Sequence, residues 1–300
     1  MKKTKNGSFS LDTLGDRIIL RINILLLFVF LVIIAYPLLF VISASFSAGS
    51  ATMSLSLIPK KISLVGYETV FKYKDIWTGY GNSLFYMVAG TALNLVMTIL
   101  MAYPLSRSDF KGRGFLMMLC MITMYFSGGL IPTFIVVKKL GLLNTRWAIL
   151  LPGCMSVYNM IVMRTYFKSS IPGELLESSQ LDGCGNIRYM ISILLPLSGP
   201  ILAVIGLFYA VGIWNAYFDA MVYVSTKRSY YPLSLFLREI LILNEQDIDR
   251  LDVNTLLELE ERRNIMKYAV IVVSSLPVMI IYPFVQKFFV KGVMIGAVKG

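Results

Sequence analysis

The chain has 300 residues, 57% of them hydrophobic and 15% charged, and its mean hydropathy is +0.71. Soluble domains are roughly 45–50% apolar, so an ordinary soluble domain is excluded and an integral membrane protein is expected. Histidine is absent, which leaves metal hydrolysis and Ser-His or Cys-His chemistry without their usual groups.

The formal charge of +11 comes from basic residues scattered in short segments beside apolar runs. That pattern fits an anionic membrane surface rather than a nucleic-acid partner. Cys120, Cys154 and Cys184 are far apart and form neither a disulfide framework nor a CxxC motif.

In chain order, residues 1–21 are a polar, basic tail, and the apolar run 22–46 is too long for the core of a signal peptide. It reads as a retained first helix. An outer segment 47–82 follows, then apolar runs at 83–105, 115–137, 147–167, 193–214 and 267–289. Each is about as long as a helix needs to cross a hydrocarbon core roughly 30 Å thick, so the fold class is an all-α polytopic membrane protein with six transmembrane helices. Pro37, Pro104, Pro132, Pro152, Pro200 and Pro277 lie in or beside these runs as kinks or ends. The span interiors are expected to carry no aspartate, glutamate, lysine or arginine, which disfavours ion-coupled transport.

Lys2, Lys3, Lys5, Arg17 and Arg21 precede the first helix, Arg107, Lys111 and Arg113 fill a tight turn, and Arg164, Lys168 and Arg188 flank the connection 169–192. Their bias places these segments and both termini in the cytoplasm. The outer connection 216–266 carries more than half of the 17 acidic residues. Leucines at near-helical spacing in 233–243 and 253–259 make it a small ordered cap.

The cytoplasmic connection holds the most specific pattern. Pro172 suits a first helical turn, Glu174 and Glu177 complement the positive end of that helix, and Leu175, Leu176 and Leu181 offer an apolar face. Gly183 can supply a left-handed turn, and a second short helix begins near Asn186. Such an exposed hairpin suits a groove on a partner.

Residues 177–183 read ESSQLDG, and after nine more residues comes ILLP at 193–196. This resembles the EAA loop of ABC-importer permeases: Glu-Ala-Ala, two residues, Asp-Gly, nine residues, then Ile-x-Leu-Pro. Ser178 and Ser179 replace the two alanines, a small-for-small exchange. GIWNAYF at 212–218 and KGVMIGAVKG at 291–300 narrow the resemblance to the carbohydrate branch, similar to the second permease of the maltose importer and to permeases for complex or polygalacturonate-type oligosaccharides.

The resemblance implies a type I ABC importer permease fold: a core over 83–289, the coupling loop 169–192 and a cytoplasmic tail over 290–300. It implies that Glu177, Ser178, Ser179, Asp182 and Gly183 contact a dimeric cytoplasmic ATPase. ATP and magnesium would be bound by that ATPase, with no cofactor in this chain, whose glycine clusters lack the Gly-Lys-Ser/Thr ending of a phosphate-binding loop. A second permease would complete a heterodimer in the bacterial cytoplasmic membrane, and an extracellular solute-binding protein would deliver the oligosaccharide.

Neutral aromatic and amide side chains suit a hydroxyl-rich solute, and Tyr86, Asn94, Tyr125, Asn159, Trp214 and Asn215 are the expected path residues. Packing between helices is the alternative role for each. An ion-coupled secondary carrier and a membrane-embedded enzyme are the competing functions.

Overall fold

The computed structural model describes residues 14–47, 62–242, 266–283 and 286. Expectations for the tail 290–300 and for a helix at 253–259 fall outside them. Two compact units are distinguished, one of residues 1–70 with 251–272 and one of 71–250 with 273–300.

The first unit is built on α1 (Leu14–Ser45), which begins within the expected tail rather than at residue 22. Its 32 residues extend roughly 48 Å at 1.5 Å per residue, and its side chains are exposed along most of its length. An apolar helix of this kind suits lipid or another apolar helix. Its end is fixed by hydroxyls: Ser45 Oγ donates to the Ile42 carbonyl (2.6 Å) and meets the Tyr67 hydroxyl at 2.7 Å. Tyr67 belongs to α2 (Val65–Lys72) and packs on Phe46 with ring centroids 5.2 Å apart.

The second unit is organised around α3 (Lys74–Ser106), 33 residues long. It starts nine residues before the apolar run, and its polar first turns are anchored by an ion pair. Asp75 suits the positive end of the helix, and Arg228 pairs with both Asp75 (3.1 Å) and Glu239 (2.9 Å).

The continuous spans expected at 115–137, 147–167 and 193–214 are each broken. The first is α4 (Arg113–Tyr125) and α5 (Leu130–Lys139), bent by 113°. Gly129 sits there at φ +84°, and the ring of Pro132 is incompatible with a straight helix through the Gly128 carbonyl. The second is α6 (Trp147–Leu150) and α7 (Val157–Ser170), interrupted at Pro152 and Gly153 (φ +73°). The third is α9 (Asn186–Leu197) and α10 (Gly199–Asn215), bent by 84°. A π-helical turn over Met190–Leu194 precedes this bend, with the Leu195 N–H reaching back to the Met190 carbonyl. The connection between the second and third of these segments forms α8 (Gly173–Leu181).

Among the described residues, three unbroken helices are therefore long and apolar enough to span a membrane, α1, α3 and α13 (Met266–Pro283), or up to five if each bent pair counts as one span. Hydropathy registers composition and length, whereas the bends are set by single glycines and prolines.

The core of the second unit lies where α3, α7, α9 and α10 meet. Ala102, Leu105, Met160, Met163, Phe167, Leu194 and Ile205 are buried there. Small residues allow the helices to close: a side chain at Gly90 would meet Ile213 at 2.8 Å and Leu150 at 3.2 Å, and one at Gly206 would meet Leu95 at 3.4 Å. The connection after α10 adds α11 (Phe218–Tyr223) and α12 (Leu233–Ile242).

At Gly79 a methyl group would lie 2.7 Å from Phe236 Cδ2 and 3.1 Å from the Leu233 Cα, and that backbone cannot rotate aside. Gly79→Ala should cost about 1–3 kcal/mol, read as a lower melting temperature of the purified protein. Gly81→Ala, with nothing within 4 Å, should be neutral or gain up to about 1 kcal/mol from helix propensity.

Candidate functional site

Two clusters, at opposite ends of α3, hold the residues singled out by the sequence. The first is the hairpin formed by α8 and α9. After Leu181, the Gly183 N–H donates to the Gln180 carbonyl (3.0 Å) and the Cys184 N–H to the Ser179 carbonyl (2.9 Å). With Gly183 at φ +72°, this is a Schellman ending, which requires a left-handed residue at that position. The glycine of the Asp-Gly pair is thus explained by local geometry. Its neighbour Ser179 is buried and donates to the Leu176 carbonyl at 2.7 Å, whereas Ser178, Glu177 and Asp182 are exposed.

The hairpin is seated on the end of α3. The Tyr103 hydroxyl donates to the Asn186 carbonyl (3.3 Å), and Arg107 Nη1 donates to the Tyr103 hydroxyl (3.3 Å). Arg107 also chelates Asp109 through Nε (2.9 Å) and Nη2 (2.7 Å), and these bonds hold the Asp109 carboxyl below the usual carboxylate range. Of the three leucines expected on one apolar face, Leu176 is half-buried against the core, whereas Leu175 is exposed and Leu181 is 90% exposed. Ile187 is 72% exposed. Free apolar side chains therefore flank Glu177 and Asp182.

The second cluster lies at the start of α3, roughly 30 Å away at 1.5 Å per residue between Asn82 and Tyr103. Asn82 Nδ2 donates to the carbonyls of Ser229 (2.7 Å) and Tyr231 (3.0 Å), the Tyr86 hydroxyl donates to Tyr230 (2.8 Å), and Ser83 Oγ accepts the Leu233 N–H (2.8 Å). These side chains grip residues 229–233. Arg146 joins them: its Nη2 donates to Asn82 Oδ1 (3.2 Å), and its guanidinium lies over Phe85 (4.8 Å) and Tyr230 (5.2 Å).

The six expected path residues do not form one lining. Tyr86 is 1% exposed, with its hydroxyl used as described. Asn94 is buried, and with its amide set to satisfy both donors it bonds the carbonyls of Gly90 and Cys154 at 3.1 Å each. Asn159 is buried in α7, and its backbone N–H donates to the capping Ser156 Oγ (3.4 Å). Tyr125 ends α4 beside the bend and is 77% exposed.

Only Trp214 and Asn215 come together, on a cavity of about 230 Å³ that also touches Ser234, Ser274, Ser275 and Met279. There the indole N–H of Trp214 donates to the Ser274 carbonyl (3.1 Å) and its ring meets Tyr80 edge-on at 5.6 Å. Such a pocket offers an aromatic surface beside several hydroxyls and an amide.

Two further side chains tie helices together. The Tyr209 hydroxyl accepts the Ser156 N–H (3.0 Å) and meets Thr98 Oγ1 at 2.7 Å. Arg164 lies inside α7, contrary to the expected absence of charge, and its Nε donates to the Leu105 carbonyl (2.8 Å) at the end of α3. Among the described residues no group of acidic or cysteine side chains could hold a metal.

No family model matches the chain. Protein LplC of Bacillus subtilis is 42% identical over 266 residues, covering 88% of this chain and 89% of that protein. The polygalacturonan/rhamnogalacturonan transport system permease protein YtcP of the same organism is 40% identical over 279 residues, covering 91% and 96%. A crystal structure of a bacterial ABC transporter involved in the import of the acidic polysaccharide alginate contains a chain that superposes with a TM-score of 0.82 at 33% identity, covering 92% of this chain and 98% of that one. With a helical core of the same fold and this extent of identity, the chain belongs to the carbohydrate ABC-transporter permeases.

Proposed function

We propose that this transport subunit supplies one half of an oligosaccharide path, with six spans and both termini in the cytoplasm of a bacterial cell. A second permease supplies the other half, an extracellular solute-binding protein delivers the sugar, and a dimeric ATPase that binds ATP and magnesium drives the cycle. The names of the relatives support the substrate class, and YtcP and the alginate importer support an acidic polymer fragment. The sixth span in this reading is α6 with α7, joined across the Pro152–Gly153 break.

The observation that carries the reading is the hairpin of α8 and α9. Exposed Glu177 and Asp182 stand beside exposed Leu181 and Ile187, a mixed polar and apolar tip suited to helix-in-groove docking. Its base on Tyr103 and Arg107 gives a displacement of the tip a route into α3. The cavity at Trp214 and Asn215 is the position at which a sugar ring could stack and be hydrogen-bonded.

Gly183 tests the coupling role. A side chain there meets nothing within 4 Å, so substitution acts through backbone strain, about 1–2 kcal/mol for a left-handed residue. In the reconstituted importer, Gly183→Val should lose most sugar-stimulated ATPase activity and uptake, whereas Gly183→Asn, which tolerates this conformation, should keep most of both. Full coupling in the Val variant would refute the docking role.

Alanine replacement tests the path. Trp214→Ala and Asn215→Ala should weaken apparent sugar affinity several-fold, while Asn94→Ala should chiefly lower the melting temperature, by an amount equivalent to about 1–3 kcal/mol for stranded carbonyls. Unchanged affinity in both cavity variants would move the contacts to the partner permease. For orientation, a cysteine at Thr226 should react with an impermeant reagent only from outside the cell, and one at Ser178 only from inside.

A further inference from the structure

An acidic oligosaccharide needs a positive partner, and most described arginines near the ends of α3 are already engaged. Arg228 is paired with Asp75 and Glu239, and Arg107 with Asp109. Arg113 donates to the Arg107 carbonyl (3.0 Å) and Arg164 to that of Leu105 (2.8 Å).

Arg146 differs. It is exposed, and among the described residues no carboxylate lies within ion-pairing distance of it. Its side-chain hydrogen bond goes to Asn82 Oδ1, so one of five N–H donors is used.

The site around this guanidinium is built rather than incidental. Phe85 and Tyr230 lie 4.8 and 5.2 Å from it; Phe85 projects from α3 and meets the Tyr86 ring edge-on at 5.7 Å, and the Tyr230 backbone is held by Tyr86. Lys227 Nζ lies 5.3 Å from the same Tyr230 ring, adding a second cation. The rings restrict the rotamers of Arg146 and thin its water shell. A cation so restrained loses less entropy on binding and can present a bidentate edge to a carboxylate. An exposed aromatic, Phe85, stands alongside to receive the apolar face of a sugar ring.

From this geometry we infer that Arg146, oriented by Asn82 and stacked over Phe85 and Tyr230, is a recognition site for the carboxylate of a uronate-containing oligosaccharide at the outer end of the permease. This rests on the proposed importer function, because the end of α3 opposite the α8–α9 hairpin is then the extracellular one. It extends that reading by placing charge selectivity within this chain, at a position separate from the cavity at Trp214.

The test uses the complete importer, with binding protein, both permeases and ATPase, in proteoliposomes. Trigalacturonate and its methyl ester are supplied together, and the uptake ratio of acid to ester is measured. The wild type should favour the acid. Arg146→Gln should lower the ratio about tenfold, and Arg146→Lys, which keeps the charge and the ring contacts but not the bidentate edge, about threefold. Should the Gln variant fail to assemble, the Lys variant alone decides. An equal loss of both substrates would make Arg146 a packing clamp, and an unchanged ratio would also overturn the inference. So would a wild type that prefers the ester, although that result leaves the importer reading intact. ATP-dependent uptake of neither these nor neutral oligosaccharides would instead remove the importer reading itself.

Discussion

A backbone carbonyl or N–H freed inside hydrocarbon has no water to bond with, and that requirement decides where this chain can bend. The break between α6 and α7 illustrates it. It frees the carbonyl of Cys154 and the N–H of Ser156, and both find partners on other helices: Asn94 of α3 for the first and Tyr209 of α10 for the second. Thr98, one turn beyond Asn94, closes the set by meeting the Tyr209 hydroxyl. The bend between α9 and α10 is served from within, by Ser198 Oγ donating to the Leu194 carbonyl at 2.7 Å. At the end of α3, where helix geometry leaves carbonyls without donors, Arg164 reaches across to Leu105. The break between α6 and α7 and the end of α3 are thereby tied to neighbouring helices, and the α6–α7 break becomes a joint between packed helices.

The same reasoning explains why a lone arginine is tolerated in α7. Arg164 lies level with the final turn of α3, so its guanidinium needs only to reach a helix terminus, where a carbonyl and the interface both favour a cation. The middle turns of α3 use neutral groups, asparagine and threonine, for the corresponding task. Charge is thus graded along this bundle, with arginines at the two ends of α3 and amides and hydroxyls between them.

Particular residues show what could be read before the fold was known. The Asp182–Gly183 turn and the short helix from Asn186 were legible because their signals are local: a left-handed position and a capped start a few residues away. Apolar runs marked the membrane segments for the same reason. The bends were legible only as prolines that could kink or end a helix: Pro132, Pro152 and Pro200 mark breaks, whereas Pro37 and Pro104 lie inside unbroken helices, since proline is tolerated in membrane helices whenever a neighbour supplies the missing bond, and that neighbour is remote in sequence. Tyr86 and Asn94 resembled path residues because an amide or phenol in an apolar run has the same appearance whether it serves a sugar or a carbonyl 60 or 144 positions away. Asn82 and Ser83 sat at or just outside the edge of the hydropathic run and drew no attention, yet with Tyr86 at the following turn they hold residues 229–233.

That grip has a mechanical consequence. Asn82, Ser83 and Tyr86 occupy little more than one helical turn and bind four of the five residues of the segment 229–233. A lengthwise slide of α3 or a twist about its axis would break several of these bonds at once unless the segment travelled with it. At the other end, Tyr103 and Arg107 fasten the same helix to the hairpin. The helix is therefore fastened at both ends, and a displacement along or about its axis at one end is opposed by the bonds at the other.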